Sequence, residues 1–231
     1  MTNPSTDGGY AVVEMFTSQG CNSCPPAEEL LSEIERDARE RGQNVFALGF
    51  HVDYWDDLGW PDQFADAAYT ARQEAYARAF GTGGLYTPQM VVNGTVEFVG
   101  SDRRRAAGAI MSAMAARATT PLALSVANLG TDRVTLDYRT ERAPERAVLN
   151  VAIVERGLDS EIARGENAGR TLRQDNVVRA FRSVELRAEP GQVELATPAD
   201  LDPRSASVVG YVQESGNRAV LGATAVELST A

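Results

Sequence analysis

Between Tyr10 and Val99 the hydrophobic positions fall into short runs whose spacing changes repeatedly, and each change marks an element. Tyr10-Ala-Val-Val-Glu-Met-Phe16 is rich in strand formers and leads through a polar loop into Cys21. Ala27, Leu30, Leu31, Ile34 and Ala38 then recur on one face of a 3.6-residue period, with Pro25, Pro26, Glu28 and Glu29 near its start. The order is strand, loop, helix, and it puts Cys21 at a helix N-terminus. Val45 to Val52 is nearly continuous apolar sequence, as expected of a strand buried on both faces. A polar, aromatic stretch from Asp53 to Trp60 precedes a second helix with the stripe Ala65, Ala68, Tyr69, Tyr76, Ala79 and Phe80. Gly81, Gly83 and Gly84 end it. Gln89 to Val92 and Thr95 to Val99 flank Asn93-Gly94, a dipeptide suited to a type I′ turn, so they form a hairpin. A last helix runs from about Asp102 to Arg117.

Beyond Pro121 the period becomes two. Leu122, Leu124 and Val126 alternate with smaller or polar residues, as do Val134, Leu136 and Tyr138, and Val148 to Val154 and Ser207 to Val212 are further strands. Short strands between turn signals predict a β-sandwich. The expected organisation is an α/β domain over residues 10–119, followed by an all-β, sandwich-like domain over 120–231, with Thr119, Thr120 and Pro121 at the boundary.

The two cysteines stand in Cys21-Asn-Ser-Cys24, after a strand and opening a helix. A thiolate in a helix's first turn faces free N–H groups and the positive end of the dipole, which lower its pKa. Cys21, expected to be the more exposed, is therefore the candidate nucleophile, and Cys24, one turn in, the resolving thiol. A structural zinc would need four ligands, and two cysteines with the one histidine, His51, fall short. A purely structural disulfide closing so small a loop would restrict the unfolded chain little. His51 with Asp53, Asp56 and Asp57 could suggest a metal cluster, but a lone histidine beside acidic loop residues reads as a hydrogen-bonded structural group. Trp55 and Trp60 read as packing or substrate-rim residues.

The order β, α, β, α, β, β, α resembles a thioredoxin fold. That resemblance implies a cis bond between Thr87 and Pro88, with Thr87 and Pro88 forming a backbone clamp for an extended substrate joined to Cys21. It also implies that Glu14, in the strand before the motif, is a buried acid able to relay protons to Cys24. The segments Phe-Thr-Ser-Gln-Gly-Cys-Asn-Ser-Cys-Pro-Pro, His-Val-Asp-Tyr-Trp-Asp, Tyr-Thr-Pro-Gln-Met-Val-Val-Asn-Gly and Gly165-Glu-Asn-Ala-Gly-Arg-Thr-Leu172 together look like the bacterial thioredoxin-like proteins of domain-of-unknown-function family 1223. The family implies a thioredoxin-like domain followed by a β-rich one. Its members supply no physiological substrate. The stretch from Arg164 to Asn176 reads as a long loop or strand crossover, and as simple surface in preference to a cap on the redox site.

Composition narrows the function classes. The formal net charge of the 231-residue chain is -10, and all its basic residues are arginine, so no lysine-rich strip tracks a phosphate backbone. Nucleic acid is not an expected partner. Arg103, Arg104 and Arg105 read as a solvated helix face. No apolar stretch approaches the length of a bilayer span, and Met1 to Gly9 is a polar lead. As written the sequence suggests a cytoplasmic protein, or a periplasmic or secreted one if an N-terminal signal has been removed. The expected activity is thiol-disulfide exchange with a protein or a small thiol, with the Cys21–Cys24 disulfide as the redox group and no added cofactor or metal. The alternatives are soft-metal (copper) binding by the same cysteines, or a partner-docking role for the β-rich half. Reductant or oxidant, and oligomeric state, stay open.

Overall fold

The computed structural model describes residues 8–229, so most of the lead read from Met1 to Gly9 lies outside the described residues. The first half runs β1 (Ala11–Thr17), α1 (Pro25–Glu40), β2 (Val45–His51), α2 (Ala67–Phe80), β3 (Gln89–Val92), β4 (Val96–Val99) and α3 (Arg103–Met114). β1 pairs parallel with β2 and antiparallel with β3, and β3 and β4 form the hairpin. Its turn residues Asn93 and Gly94 both have positive φ, as the type I′ turn requires.

The second half adds β5 (Leu122–Leu129), β6 (Arg133–Thr140), β7 (Ala147–Glu155), β8 (Leu158–Glu161), β9 (Thr171–Gln174), β10 (Val177–Glu185), β11 (Gly191–Ala196), β12 (Ala206–Glu214) and β13 (Val220–Glu227). These strands do not all build sheets of their own. Four of them extend the sheet begun by the first half, giving eight strands in the order β13-β12-β7-β10-β2-β1-β3-β4. The seam is narrow: β10 meets β2 at the one pair Val177 and Gly49, where the Gly49 N–H donates to the Asn176 carbonyl at 2.7 Å. Thr119, Thr120 and Pro121 lie between α3 and β5, and the large sheet draws strands from both sides of them. The sandwich expectation holds for one layer only. The small sheet β11-β6-β5 packs over β7 and β12, and its partner layer is the shared sheet.

Alternation along the strands sorts side chains into three cores. Ala11, Val13 and Met15 of β1 face α1 and α3, while Val12 and Phe16 face α2. On β7, Ala152 and Val154 join the α2 side, and Leu149, Val151 and Ile153 point to the small sheet. The large sheet curls until its far strand returns to the first half. Val220 N–H donates to the Asn93 carbonyl at 3.0 Å, and Tyr10 Oη donates to the Val220 carbonyl at 2.7 Å. Gly94 is required at this meeting, because a Cβ there would stand 1.8 Å from the Arg218 carbonyl oxygen.

Inside the curl lies a buried charge. Arg72 of α2 pairs with both carboxylate oxygens of Glu14 at 2.7 and 2.8 Å, and also donates to Tyr76, Tyr211 and Gln213. The rings of Phe50, Tyr76, Phe181 and Tyr211 surround its guanidinium. Glu14 is on β1 and Tyr211 on β12, so one side chain ties the two halves together. Arg72→Met would strand Glu14 as an uncompensated buried charge and should cost about 3–5 kcal/mol in a urea unfolding titration. Arg72→Met with Glu14→Leu should recover most of that loss. A single Arg72→Met protein as stable as wild type would contradict this role.

Candidate active site

The loop after β1 carries the cysteines, and they are joined as a disulfide with Cα atoms 5.5 Å apart. Both have 0% exposure, which corrects the expectation of an exposed Cys21. The helix end also differs from expectation in what it offers a sulfur. Cys24 is the N-cap residue of α1, and the next two residues, Pro25 and Pro26, have no N–H. Ala27 and Glu28 turn their N–H groups onto the Cys24 carbonyl at 2.9 and 3.1 Å, and the Asn22 N–H is taken by Glu166 at 3.1 Å. Free backbone donors are thus scarcer than a generic helix N-terminus would provide. The polar neighbour of the Cys21 sulfur is the Ser23 hydroxyl, 3.3 Å away. A disulfide sulfur carries no hydrogen, so Ser23 is the donor.

The second half of the chain bonds directly to the cysteine loop. β8 and β9 form a two-stranded hairpin outside the large sheet, and the turn between them lies over the cysteine loop. Asn167, at 1% exposure, donates through Nδ2 to the carbonyls of Gln19 at 2.8 Å and Cys21 at 3.0 Å. The Gln19 side chain bonds Ser160 and Gln174 of the hairpin and accepts from the Trp60 indole, each at 2.9 Å. Arg164 to Asn176 is therefore not simple surface. The hairpin turn approaches so closely that a Cβ at Gly59 would stand 3.4 Å from Gly165 Cα.

Beneath the motif sits a buried ionisable cluster. His51 at the end of β2 bonds Asp62 through Nδ1 at 2.7 Å, and Glu28 of α1 accepts from the Thr17 hydroxyl at 2.7 Å. Burial opposes protonation of His51, but the Asp62 charge and hydrogen bond, with Glu28 behind them, outweigh it and raise the imidazole's pKa above 6.5. Burial likewise opposes ionisation of Asp62. The His51 charge and hydrogen bond and the Gln19 and Phe64 N–H groups overcome it and hold Asp62 below the usual carboxylate range. For Glu28 burial wins over its partners, and its pKa is raised. The acids expected near His51 are used elsewhere: Asp53 accepts from Thr70, and Asp56 from the Asp62 N–H. Among the described residues no group of three or more His, Cys, Asp or Glu side chains is placed to hold a metal ion.

The Thr87–Pro88 bond is cis, and Pro88 sits beside the first turn of α1: a Cβ at Gly100 would meet both Pro88 and Ala27 at 3.1 Å. Trp55 packs on Gly20, next to Cys21, and its buried indole N–H has no partner. Glu14 is buried as expected of an inward acid, but its carboxylate is held by Arg72 and Tyr76 on the α2 face. The buried acid on the cysteine helix is Glu28, four residues after Cys24, and the relay expected of Glu14 does not fit a carboxylate already committed to a buried ion pair.

The sequence profile of the family described as "Protein of unknown function (DUF1223)" matches residues 12–213. This chain belongs to that family. Protein AGR_C_4864 from Agrobacterium tumefaciens, known from its crystal structure, is similar at a TM-score of 0.70 and 29% identity, with 98% of each chain covered. HBP35 of Porphyromonas gingivalis is similar in fold at a TM-score of 0.69 and 13% identity, covering 99% of this chain and 78% of its own. No functionally curated protein matches the sequence.

In this DUF1223 protein the cysteines, Thr87 and Pro88 stood out in the sequence because local patterns mark them. Asn167, Glu166, Ser23, Glu28 and Asp62 did not. The one available signal was the matched segment from Gly165 to Leu172, whose glycines and asparagine suit a shaped loop. The charged pair beneath the site makes a pH prediction. A raised histidine pKa means that the fold holds the proton more tightly than the unfolded chain. The resulting stabilisation is complete below 6.5 and fades as pH rises through the folded value. The urea midpoint should fall from about pH 6 to about pH 9, and His51→Gln should flatten that fall. An unchanged slope in His51→Gln would refute a charged His51.

Proposed function

We propose that this protein is a thiol-disulfide oxidoreductase whose first half, residues 10–119, is thioredoxin-like and whose redox group is the Cys21–Cys24 pair. The observation that carries the reading is the placement of a joined cysteine pair between β1 and α1. Supporting it are the element order β1, α1, β2, α2, β3, β4, α3 and the position of Pro88 beside the first turn of the cysteine helix.

In the reducing direction the Cys21 thiolate attacks a substrate disulfide, forming a Cys21–substrate bond and expelling one substrate thiolate, which takes a proton. Cys24, deprotonated, then attacks the Cys21 sulfur. The mixed disulfide breaks, the second substrate thiol leaves, and the Cys21–Cys24 disulfide closes, so two electrons pass to the substrate. Ser23, hydrogen-bonded to the Cys21 sulfur, favours its anionic form. The unpartnered Trp55 indole and the Thr87 backbone would contact the incoming chain. The copper alternative needs both cysteines as thiolates, and here they are joined to each other.

Cys24→Ser removes the resolving thiol and leaves the nucleophile, so reaction with a model disulfide should stall as a mixed disulfide at Cys21, detectable as added mass. Cys21→Ser should trap nothing. Equal trapping by both single variants would reverse or remove the assigned roles.

A further inference from the structure

We propose that the β8–β9 hairpin is a strap that closes the redox site against thiols and must lift for exchange, with Asn167 as its latch. The proposal rests on the redox reading above and adds what controls access to the pair.

Both cysteines have 0% exposure, so no thiolate can reach either sulfur along the S–S axis in this arrangement, and the hairpin turn is bonded to the loop that carries them. The cover is a discrete unit. It forms its own two-stranded sheet, and the chain takes positive φ at each base, at Gly157 and at Asn176. Its turn is internally bonded, with Gly169 N–H donating to the Ile162 carbonyl at 2.7 Å, so it can move as a body. Ser160 and Gln174 at its strands bond Gln19, Ile162 and Leu172 are buried, and the turn itself is fastened to the cysteine loop by polar contacts. Asn167 bridges the carbonyls of Gln19 and Cys21, and Glu166 accepts from the Asn22 N–H.

These contacts have a particular chemistry. A side-chain amide donating to two loop carbonyls, and an oxygen accepting from the Asn22 N–H, reproduce what the backbone of an extended peptide would offer. The strap thus occupies the hydrogen-bonding positions of the loop from Gln19 to Asn22. A cysteine-bearing segment that supplies the same donors and acceptors can displace it without leaving buried carbonyls unpaired, whereas a small thiol must wait for spontaneous opening. Glu166 also places a carboxylate beside the cysteine loop, which disfavours an anionic thiol more than a neutral one.

The test follows reduction of the Cys21–Cys24 disulfide in the full-length protein by excess dithiothreitol, quenched by alkylation and read by mass. Dithiothreitol delivers two electrons and two protons and closes to its own cyclic disulfide. Asn167→Ala removes two buried bonds and should speed reduction about tenfold or more. Glu166→Ala, at an exposed position where folding is not at risk, should speed it about fivefold. Glu166→Gln keeps an acceptor and should stay near wild type with dithiothreitol, while reacting faster than wild type with anionic glutathione. Equal dithiothreitol rates in wild type, Asn167→Ala and Glu166→Ala would overturn the strap while leaving the redox reading intact. If dithiothreitol reduces none of these folded proteins, the redox reading fails, and the strap fails with it.

Discussion

The buried ion pair between Arg72 and Glu14 is the constraint on which the rest of this molecule depends. A guanidinium ringed by four aromatic side chains is tolerable only if its charge is paired and hydrogen-bonded, and the partners come from β1, α2 and β12. Satisfying it forces the far strands of the large sheet to curl back over α2. Strand pairing across the seam is the single pair Gly49 and Val177, so the placement of the halves rests on side chains, on this ion pair and the core it shares with Val12, Phe16, Ala152 and Val209, and on the bonds that Val220 makes to Asn93 and Tyr10. Because the halves are fixed, the hairpin that leaves β7 and returns into β10 arrives over the cysteine loop and not in solvent.

The site that results differs from a bare cysteine motif on a helix. Two prolines remove the amides that a helix N-terminus would lend to a sulfur, and a side-chain carboxylate takes another. The remaining donor is Ser23, from within the motif. Below the motif, Glu28, His51 and Asp62 place ionisable groups in a dry environment, each tuned by burial against its neighbours. Above it, Asn167 holds the cover. The chemistry of the pair is therefore set by residues drawn from both halves, and neither half alone contains the site.

What was legible in the sequence was local. Val45–Val52 reads as a strand from its own letters, Asn93-Gly94 as a turn from two, and the helix after Cys24 from the spacing of Ala27, Leu30 and Leu31. The strands that joined the two halves were harder. β10 is interrupted by Arg179, buried in an ion pair with Glu155, and by the exposed Arg182, so its alternation is blurred, and β8 and β9 are four residues each. No local pattern could announce that Asn167 bonds a carbonyl 146 residues earlier, or that Glu14 would meet Arg72 and not a cysteine. The burial of Cys21 was no more legible, and the hairpin turn bonded to its carbonyl is distant in sequence.

The central claim is that Cys21 and Cys24 form a reversible two-electron couple in the folded protein. An equilibrium titration of the full chain against graded mixtures of reduced and oxidised glutathione, quenched in acid and read by mass, tests it most directly. The account predicts a single transition between disulfide and dithiol that is the same from either direction and has the concentration dependence of a two-electron exchange. A disulfide that stays closed at every ratio while the protein remains folded, or one that opens only on unfolding, would contradict it.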